Sequence, residues 1–106
     1  MPVTIRGKRD EYLDQFAAVL EQLIADFPQA DVTIRRTNPA SIRVRVIDPS
    51  FQRLSEARRD NRVWKYLERL PEDVLSHLSM VLAFTPEEAK TSPLNYDFEH
   101  PTPMRL

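Results

Sequence analysis

Apolar residues recur every three or four positions between Arg9 and Phe27, which is the spacing of one face of an α-helix. This apolar face consists of Leu13, Phe16, Ala17, Leu20, Leu23, Ile24 and Phe27. The opposite positions are polar, as expected for a helix with one face in solvent. Pro28 disfavours helical backbone at the residue before it, so we predict that the helix ends there.

The apolar period shortens to two in the next segment, which is typical of half-buried β-strands. Val32 and Ile34 alternate with polar residues, and the same alternation resumes from Ile42 to Val46 after a turn-forming stretch at residues 37–41. We therefore predict a β-hairpin with one apolar face. We expect its other face to carry Thr33, Arg35, Arg43 and Arg45.

Two helices and a third strand are predicted after the hairpin. Asp48-Pro49 ends the hairpin, and a second helix is predicted over residues 55–70, before Pro71. A short helix follows and ends near His77. Residues 78–84 are almost all apolar, which favours a buried strand, although a continuation of the preceding helix would show the same pattern.

This order of elements predicts an α+β fold, αββααβ, in which a three-stranded sheet has its helices packed on one face. We expect residues 1–89 to form this single domain and residues 90–106 to form a proline-rich C-terminal arm. In the arm, Leu94, Tyr96 and Phe98 alternate with other residues. We expect the arm to dock on its own domain as an extended segment. An added short strand, or a disordered peptide that a partner orders, would show the same pattern.

Composition excludes several classes of functional site. The chain of 106 residues has no cysteine and a single glycine, so it cannot supply thiolate ligands or build a glycine-rich phosphate loop. No apolar stretch approaches the roughly 20 residues that span a bilayer, and no signal peptide is apparent, so we expect a cytoplasmic protein without a membrane segment. No nucleophile or acid–base motif stands out, and we expect no catalytic residues and no enzymatic activity.

Charge is distributed unevenly along the chain, although the formal net charge is −1. Residues 31–70 hold ten basic and five acidic side chains, whereas the segments on both sides are net acidic. We expect these charges mainly to pair with one another within the fold. The alternative is a phosphate-binding surface on the open sheet face and the second helix. The candidate residues for partner or nucleic-acid binding are Arg35, Arg43, Arg45, Arg58, Arg59, Arg62, Lys65 and Arg69.

These basic residues are not expected to form one continuous surface. The helices should cover the apolar face of the sheet, which places the sheet arginines and the helical set on different sides of the molecule. Exposed aromatic side chains would add base stacking to nucleic-acid binding, but we expect Trp64 and Tyr66 to be packed in the interior.

A pattern in the second half of the chain resembles a signature of the BolA family. Its residues recur mostly at intervals of four, and in this sequence they are Phe51, Ser55, Arg59, Val63, Trp64 and Leu67. Downstream, His77 and the segment Phe84-Thr85-Pro86-Glu87-Glu88 are similar to the family's last strand, which begins with a histidine. The resemblance covers residues 9–89 and implies a class II KH-like fold.

The resemblance also implies a function. BolA proteins are understood to bind a [2Fe–2S] cluster shared with a monothiol glutaredoxin, or to act in transcription, and the resemblance implies His77 as the metal ligand of this chain. Arg59-Asp60-Asn61 stands where the family has Arg-His-Arg, and Arg53 stands where it has glycine. Matching His77 to the family ligand requires a one-residue insertion, because a gapless alignment places Ser76 there.

Together these observations predict a non-enzymatic adaptor that binds a protein partner through the second helix and the third strand. A monothiol glutaredoxin is the partner that the resemblance implies, and the partner would supply the thiolates of any shared cluster. We expect the chain to need no cofactor of its own. Nucleic-acid binding is the alternative function, and self-association through an exposed strand edge is a third.

Overall fold

The computed structural model describes residues 3–101 and has four strands and five α-helices. The strands are β1 (Thr4–Arg6), β2 (Asp31–Asn38), β3 (Ser41–Ile47) and β4 (Leu78–Phe84). The helices are α1 (Glu11–Asp26), α2 (Glu56–Leu67), α3 (Glu72–Leu75), α4 (Pro86–Thr91) and α5 (Pro93–Glu99), and a 3-10 helix covers Pro49–Arg53. The predicted α+β class, the hairpin and the strand at residues 78–84 are confirmed.

Short polar side chains begin the two long helices. The Asp10 carboxylate accepts a hydrogen bond from the Leu13 N–H at 3.0 Å and caps α1. The Ser55 hydroxyl accepts one from the Arg58 N–H at 3.3 Å and caps α2. Caps of this kind typically stabilise a helix by about 1 kcal/mol. The apolar face predicted for α1 is buried apart from Phe27, which is half-buried.

The strands form one sheet in the order β1-β2-β3-β4. β2 and β3 are antiparallel, and each of the outer strands is parallel to its neighbour. The prediction of three strands was wrong because it missed β1. This strand is only three residues long and has no recognisable alternation of apolar and polar residues. Gly7 follows β1 with a φ of +101°, and a Cβ there would lie 3.0 Å from the Arg36 carbonyl oxygen, so this turn requires glycine.

The main hydrophobic core lies between one face of the sheet and the helices α1 and α2. The inward side chains of the hairpin are fully or almost fully buried there: Val32, Ile34, Ile42, Val44 and Val46. Phe51 anchors the 3-10 helix in the same core. The chain passes from β3 through α2 to β4, which leaves β4 at an edge of the sheet with α2 beside it.

A second, smaller core lies on the other face of the sheet. Phe98 of α5 is fully buried against Leu82 and Phe84 of β4. The C-terminal segment is therefore docked on the domain, but as helices rather than as the extended arm that was expected. Helices consequently pack on both faces of the sheet, which corrects the prediction of a single helical layer. Residues 102–106 of the predicted arm lie outside the described residues.

Two local signals explain why this segment is helical. The Thr85 hydroxyl accepts a hydrogen bond from the Glu88 N–H, and the Glu88 carboxylate accepts one from the Thr85 N–H, which forms a capping box at the start of α4. Pro93 occupies the first turn of α5, where its missing N–H costs no helical hydrogen bond. Among residues 3–101, no helix is both long enough and apolar enough to cross a bilayer.

Candidate functional site

Four arginines lie on the face of the sheet that is turned away from α1 and α2. Arg6 of β1 is in register with Arg35 of β2, and Arg35 is in register with Arg43 of β3. Arg45 lies two residues further along β3 and therefore points to the same face. We call these four residues the arginine face.

The arginine face is largely covered by α5. Arg45 is only 5% exposed and donates hydrogen bonds to Thr33 at 3.1 Å, to Asn95 at 3.0 Å and to Glu99. Arg43 forms an ion pair with Asp97 at 3.2 Å. The expectation of an open basic sheet face is therefore wrong, because two of its three candidate arginines are bound to the chain's own C-terminal helix.

Glu99 and Phe98 are the main contacts of α5 with this face. Glu99 accepts hydrogen bonds from both Arg45 and Arg6, and these bonds lower the pKa of Glu99 from its ordinary 4.5 to about 2. The Phe98 ring lies 4.8 Å from the guanidinium carbon of Arg45 and 5.7 Å from that of Arg35, within the range of cation–π attraction.

The four basic residues of α2, and Arg69 just after it, lie on the opposite side of the sheet, as predicted, and three of these five are bound within the fold. Arg59 donates to the carbonyls of Phe51 and Leu54 and pairs with Glu88 at 2.6 Å. Arg62 donates to Ser50 and its guanidinium lies over the Phe27 ring, and Arg69 donates to Gln22. The other two of the five, Arg58 and Lys65, are exposed and make no ion pair or side-chain hydrogen bond within residues 3–101.

Arg58 and Lys65 line an open groove of about 720 Å³ between α2 and the C-terminal end of α1. Asp26 and Glu68 line it as well, so its charge is mixed. Tyr66 is buried, as expected, and donates a hydrogen bond to Asp26. These two carboxylates offset part of the attraction that the basic side chains of the groove would exert on a nucleic-acid backbone.

His77 immediately precedes β4 and is half-buried. Its ring stacks on Tyr12, with ring centroids 4.2 Å apart and the planes inclined by 24°. Its Nδ1 atom is buried without a hydrogen-bond partner. No group of three or more His, Asp or Glu side chains within residues 3–101 could hold a metal ion. These residues do not fit a metal or cluster held by this chain alone, and His77 as a ligand shared with a partner stays a prediction.

The free edge of β4 is the best-formed site of the described chain. The Phe84 carbonyl accepts a hydrogen bond from the Asp48 N–H at 2.9 Å, on the β3 side. Because backbone groups of successive strand residues point to alternate sides, the N–H and C=O groups of Val81 and Ala83 point to the free side. Within residues 3–101, β4 pairs with β3 alone, so no neighbouring strand bonds to these groups.

A groove runs along this free edge. One part, of about 510 Å³, follows the second half of β4, and a part of about 280 Å³ follows the first half. Asp60 and Val81 line both parts and so join them. One wall is α2, and the other is the junction of α4 and α5, from Thr91 to Leu94. We call it the β4 groove.

The walls of the β4 groove differ in chemistry. On the α2 wall, Glu56 and Asp60 have no ion-pair partner within the described chain, while Arg59 is paired with Glu88. This wall therefore carries net negative charge. Two large apolar side chains are exposed at the groove, Trp64 at 38% and Leu94 at 54%. The expectation that Trp64 would be packed in the interior is wrong.

The two elements predicted to bind a partner, now α2 and β4, both line the groove, but Arg59 alone among the groove residues was a predicted site residue. Glu56 and Asp60 are four residues apart and so share one face of α2, but such a pair is ordinary on an exposed helix; Leu94 belonged to a segment predicted to be extended. The order of strands in the sheet is what makes them a site, because only an edge strand has unpaired backbone groups.

Comparison with models of known protein families and with curated proteins finds no match to this chain.

Proposed function

We propose that this protein is a non-enzymatic adaptor that binds an extended segment of a protein partner as an additional strand along β4. The observation that carries the proposal is the free edge at Val81 and Ala83, which lies at the base of a groove walled by helices. Strand addition uses unpaired backbone groups for affinity and flanking pockets for specificity. The resemblance to BolA proteins over residues 9–89 remains part of this proposal.

The groove favours a particular partner chemistry. Side chains of an added strand point alternately to its two faces, so one set would lie against α2 and the other against the α4–α5 junction. Basic side chains are complementary to Glu56 and Asp60, and apolar side chains are complementary to Leu94. We therefore expect a segment in which Lys or Arg alternates with apolar residues.

The same acidic wall argues against a second copy of this chain as the occupant. Two β4 strands paired edge to edge would bring the α2 wall of each copy beside that of the other, which places like charges near one another. Self-association through β4 is therefore the less favourable use of this edge.

Selection from a library of random ten-residue peptides tests the proposal directly. Peptides enriched on the wild-type protein should alternate basic and apolar residues, and their binding should shift the emission of Trp64, the only tryptophan, to shorter wavelength as it loses solvent. Failure to enrich any peptide, or enrichment of acidic peptides, contradicts the proposal.

Ala83→Pro tests whether the selected peptides bind at the free edge of β4. Proline removes an N–H that makes no bond within the sheet, and its ring occupies the free edge where the added strand would pair. We expect it to weaken binding of the selected peptides at least tenfold, while the control Ala83→Ser binds as the wild type does. If Ala83→Pro unfolds the protein, the double variant Glu56→Lys/Asp60→Lys serves instead and should weaken the same peptides. Unchanged binding by the variants contradicts strand addition here.

A further inference from the structure

The in-register arrangement of three arginines on the arginine face is unfavourable by itself. Arg6, Arg35 and Arg43 are direct neighbours on three adjacent strands, and like charges placed directly opposite one another destabilise a sheet. Negative charge placed beside such a row offsets this repulsion. The compensation within the described residues is incomplete.

The two ends of the row have carboxylate partners and its centre has none. Arg6 pairs with Glu99, and Arg43 pairs with Asp97. Arg35 makes no ion pair and no side-chain hydrogen bond within residues 3–101, and its contact is the Phe98 ring at 5.7 Å. The four guanidiniums of the arginine face thus have two carboxylates between them.

The environment of Arg35 is consistent with this shortage of negative charge. Burial, and next the guanidinium of Arg6, lower the pKa of Arg35 below its ordinary value of 12.5. Its Nε atom is buried without a hydrogen-bond partner. An anion placed at the accessible part of the Arg35 guanidinium would remove the shortage of negative charge.

We propose that Arg35, flanked by Arg6 and Arg43, binds the phosphate group of a small phosphorylated ligand beside α5. Guanidinium groups bind phosphate through paired N–H donors, and two or three guanidiniums on adjacent strands can surround one phosphate. The site lies on the face of the sheet away from α2. It is therefore separate from the β4 groove, and either proposal can fail without the other.

The coverage by α5 determines which phosphate compounds fit. Arg45 is buried, and Arg43 and Arg6 are paired with Asp97 and Glu99, so the unpaired positive charge is confined to a small area around Arg35. A nucleic-acid backbone needs several phosphate contacts in succession, and this area does not offer them. A compact ligand with one or two phosphates is the better fit.

Calorimetric titration with pyrophosphate at low salt tests the proposal, with Arg35→Gln as the variant and Arg58→Gln as the matched control. Arg58 also carries one positive charge but lies on α2, where it makes no side-chain bond within the described chain. We expect pyrophosphate to bind the wild type and the control within twofold of each other, and Arg35→Gln at least tenfold more weakly. Equal binding by Arg35→Gln and the wild type, or no binding by the wild type, overturns the proposal.

Two further measurements test whether the variant is merely less stable and whether the face binds nucleic acid instead. Without ligand, Arg35→Gln should unfold at the same temperature as the wild type or at a higher one, because the substitution removes like-charge repulsion. With pyrophosphate, the unfolding temperature of the wild type should rise and that of the variant should not. A single-stranded oligonucleotide of twelve residues should bind no more tightly than pyrophosphate. Tighter binding of the oligonucleotide by more than tenfold would assign the arginine face to nucleic acid and overturn the small-ligand proposal.

Discussion

Glu99 makes two of the three ion pairs that join α5 to the sheet within the described residues. It accepts hydrogen bonds from Arg45 of β3 and Arg6 of β1, and so connects the C-terminal helix to two strands. Arg45 is almost fully buried, so the loss of this carboxylate would leave a guanidinium in the interior without its charged partner. The attachment of α5 therefore depends on the ionised form of Glu99.

This dependence predicts a defined pH response. The pKa of Glu99 is about 2 in the folded protein and near 4.5 when the chain is unfolded, so its ionised form stabilises the fold fully above pH 4.5. We expect stability to fall progressively between pH 4.5 and pH 2 as this carboxylate is protonated. Thermal unfolding followed across this range should show a smaller loss for Glu99→Gln than for the wild type. Parallel pH profiles of the two proteins would show that Glu99 does not anchor α5.

Phe98 supplies the apolar part of the same attachment. It is fully buried in the second core, with its ring against the arginine face, whereas Tyr96, two residues earlier on α5, is 68% exposed. We expect Phe98→Ala to lower the free energy of unfolding by about 3 kcal/mol, in the range measured for buried aromatic truncations.

Tyr96→Ala is the control on the same helix, and its effect should stay within about 0.5 kcal/mol because its side chain is exposed. Urea unfolding of both variants and the wild type measures these changes in the free energy of unfolding. Equal, small effects for the two variants would contradict the packing of α5 against the sheet.

At the scale of elements, sequence periodicity predicted the long and regular parts of the fold. α1, the hairpin and β4 each repeat their apolar period over enough residues to determine both their type and their buried face. β1 was missed because three residues carry no period. The C-terminal helices were missed because the alternation of Leu94, Tyr96 and Phe98 suggested an extended segment, whereas the capping box at Thr85 and the proline at position 93 favour helix.

The same limits explain what was predictable about the candidate sites. Alternation along the hairpin placed Arg35, Arg43 and Arg45 on one face, which the register confirms. It could not show that α5 covers that face, because the contact joins residues more than fifty positions apart. Exposure of Trp64 likewise depends on the position of α2 relative to β4, which helix periodicity does not specify.

At the scale of the whole molecule, the uneven charge distribution is mostly an internal pairing. Within the described residues, four of the six ion pairs join a basic residue of the middle segment to an acidic residue of one end: Arg36 to Asp10, Arg43 to Asp97, Arg45 to Glu99 and Arg59 to Glu88. Sheet arginines are thereby withdrawn from external partners. The surfaces that stay available to external partners are the acidic wall of the β4 groove and the unpaired centre of the arginine face.

The functional account rests most heavily on the free edge of β4. Its most direct test is amide hydrogen exchange of the protein with and without a peptide selected for binding. Strand addition predicts that exchange at Val81 and Ala83 slows at least tenfold in the complex, while Leu82 and Phe84, already bonded to β3, change little. Slower exchange elsewhere in the molecule, with Val81 and Ala83 unaffected by the bound peptide, would contradict the account.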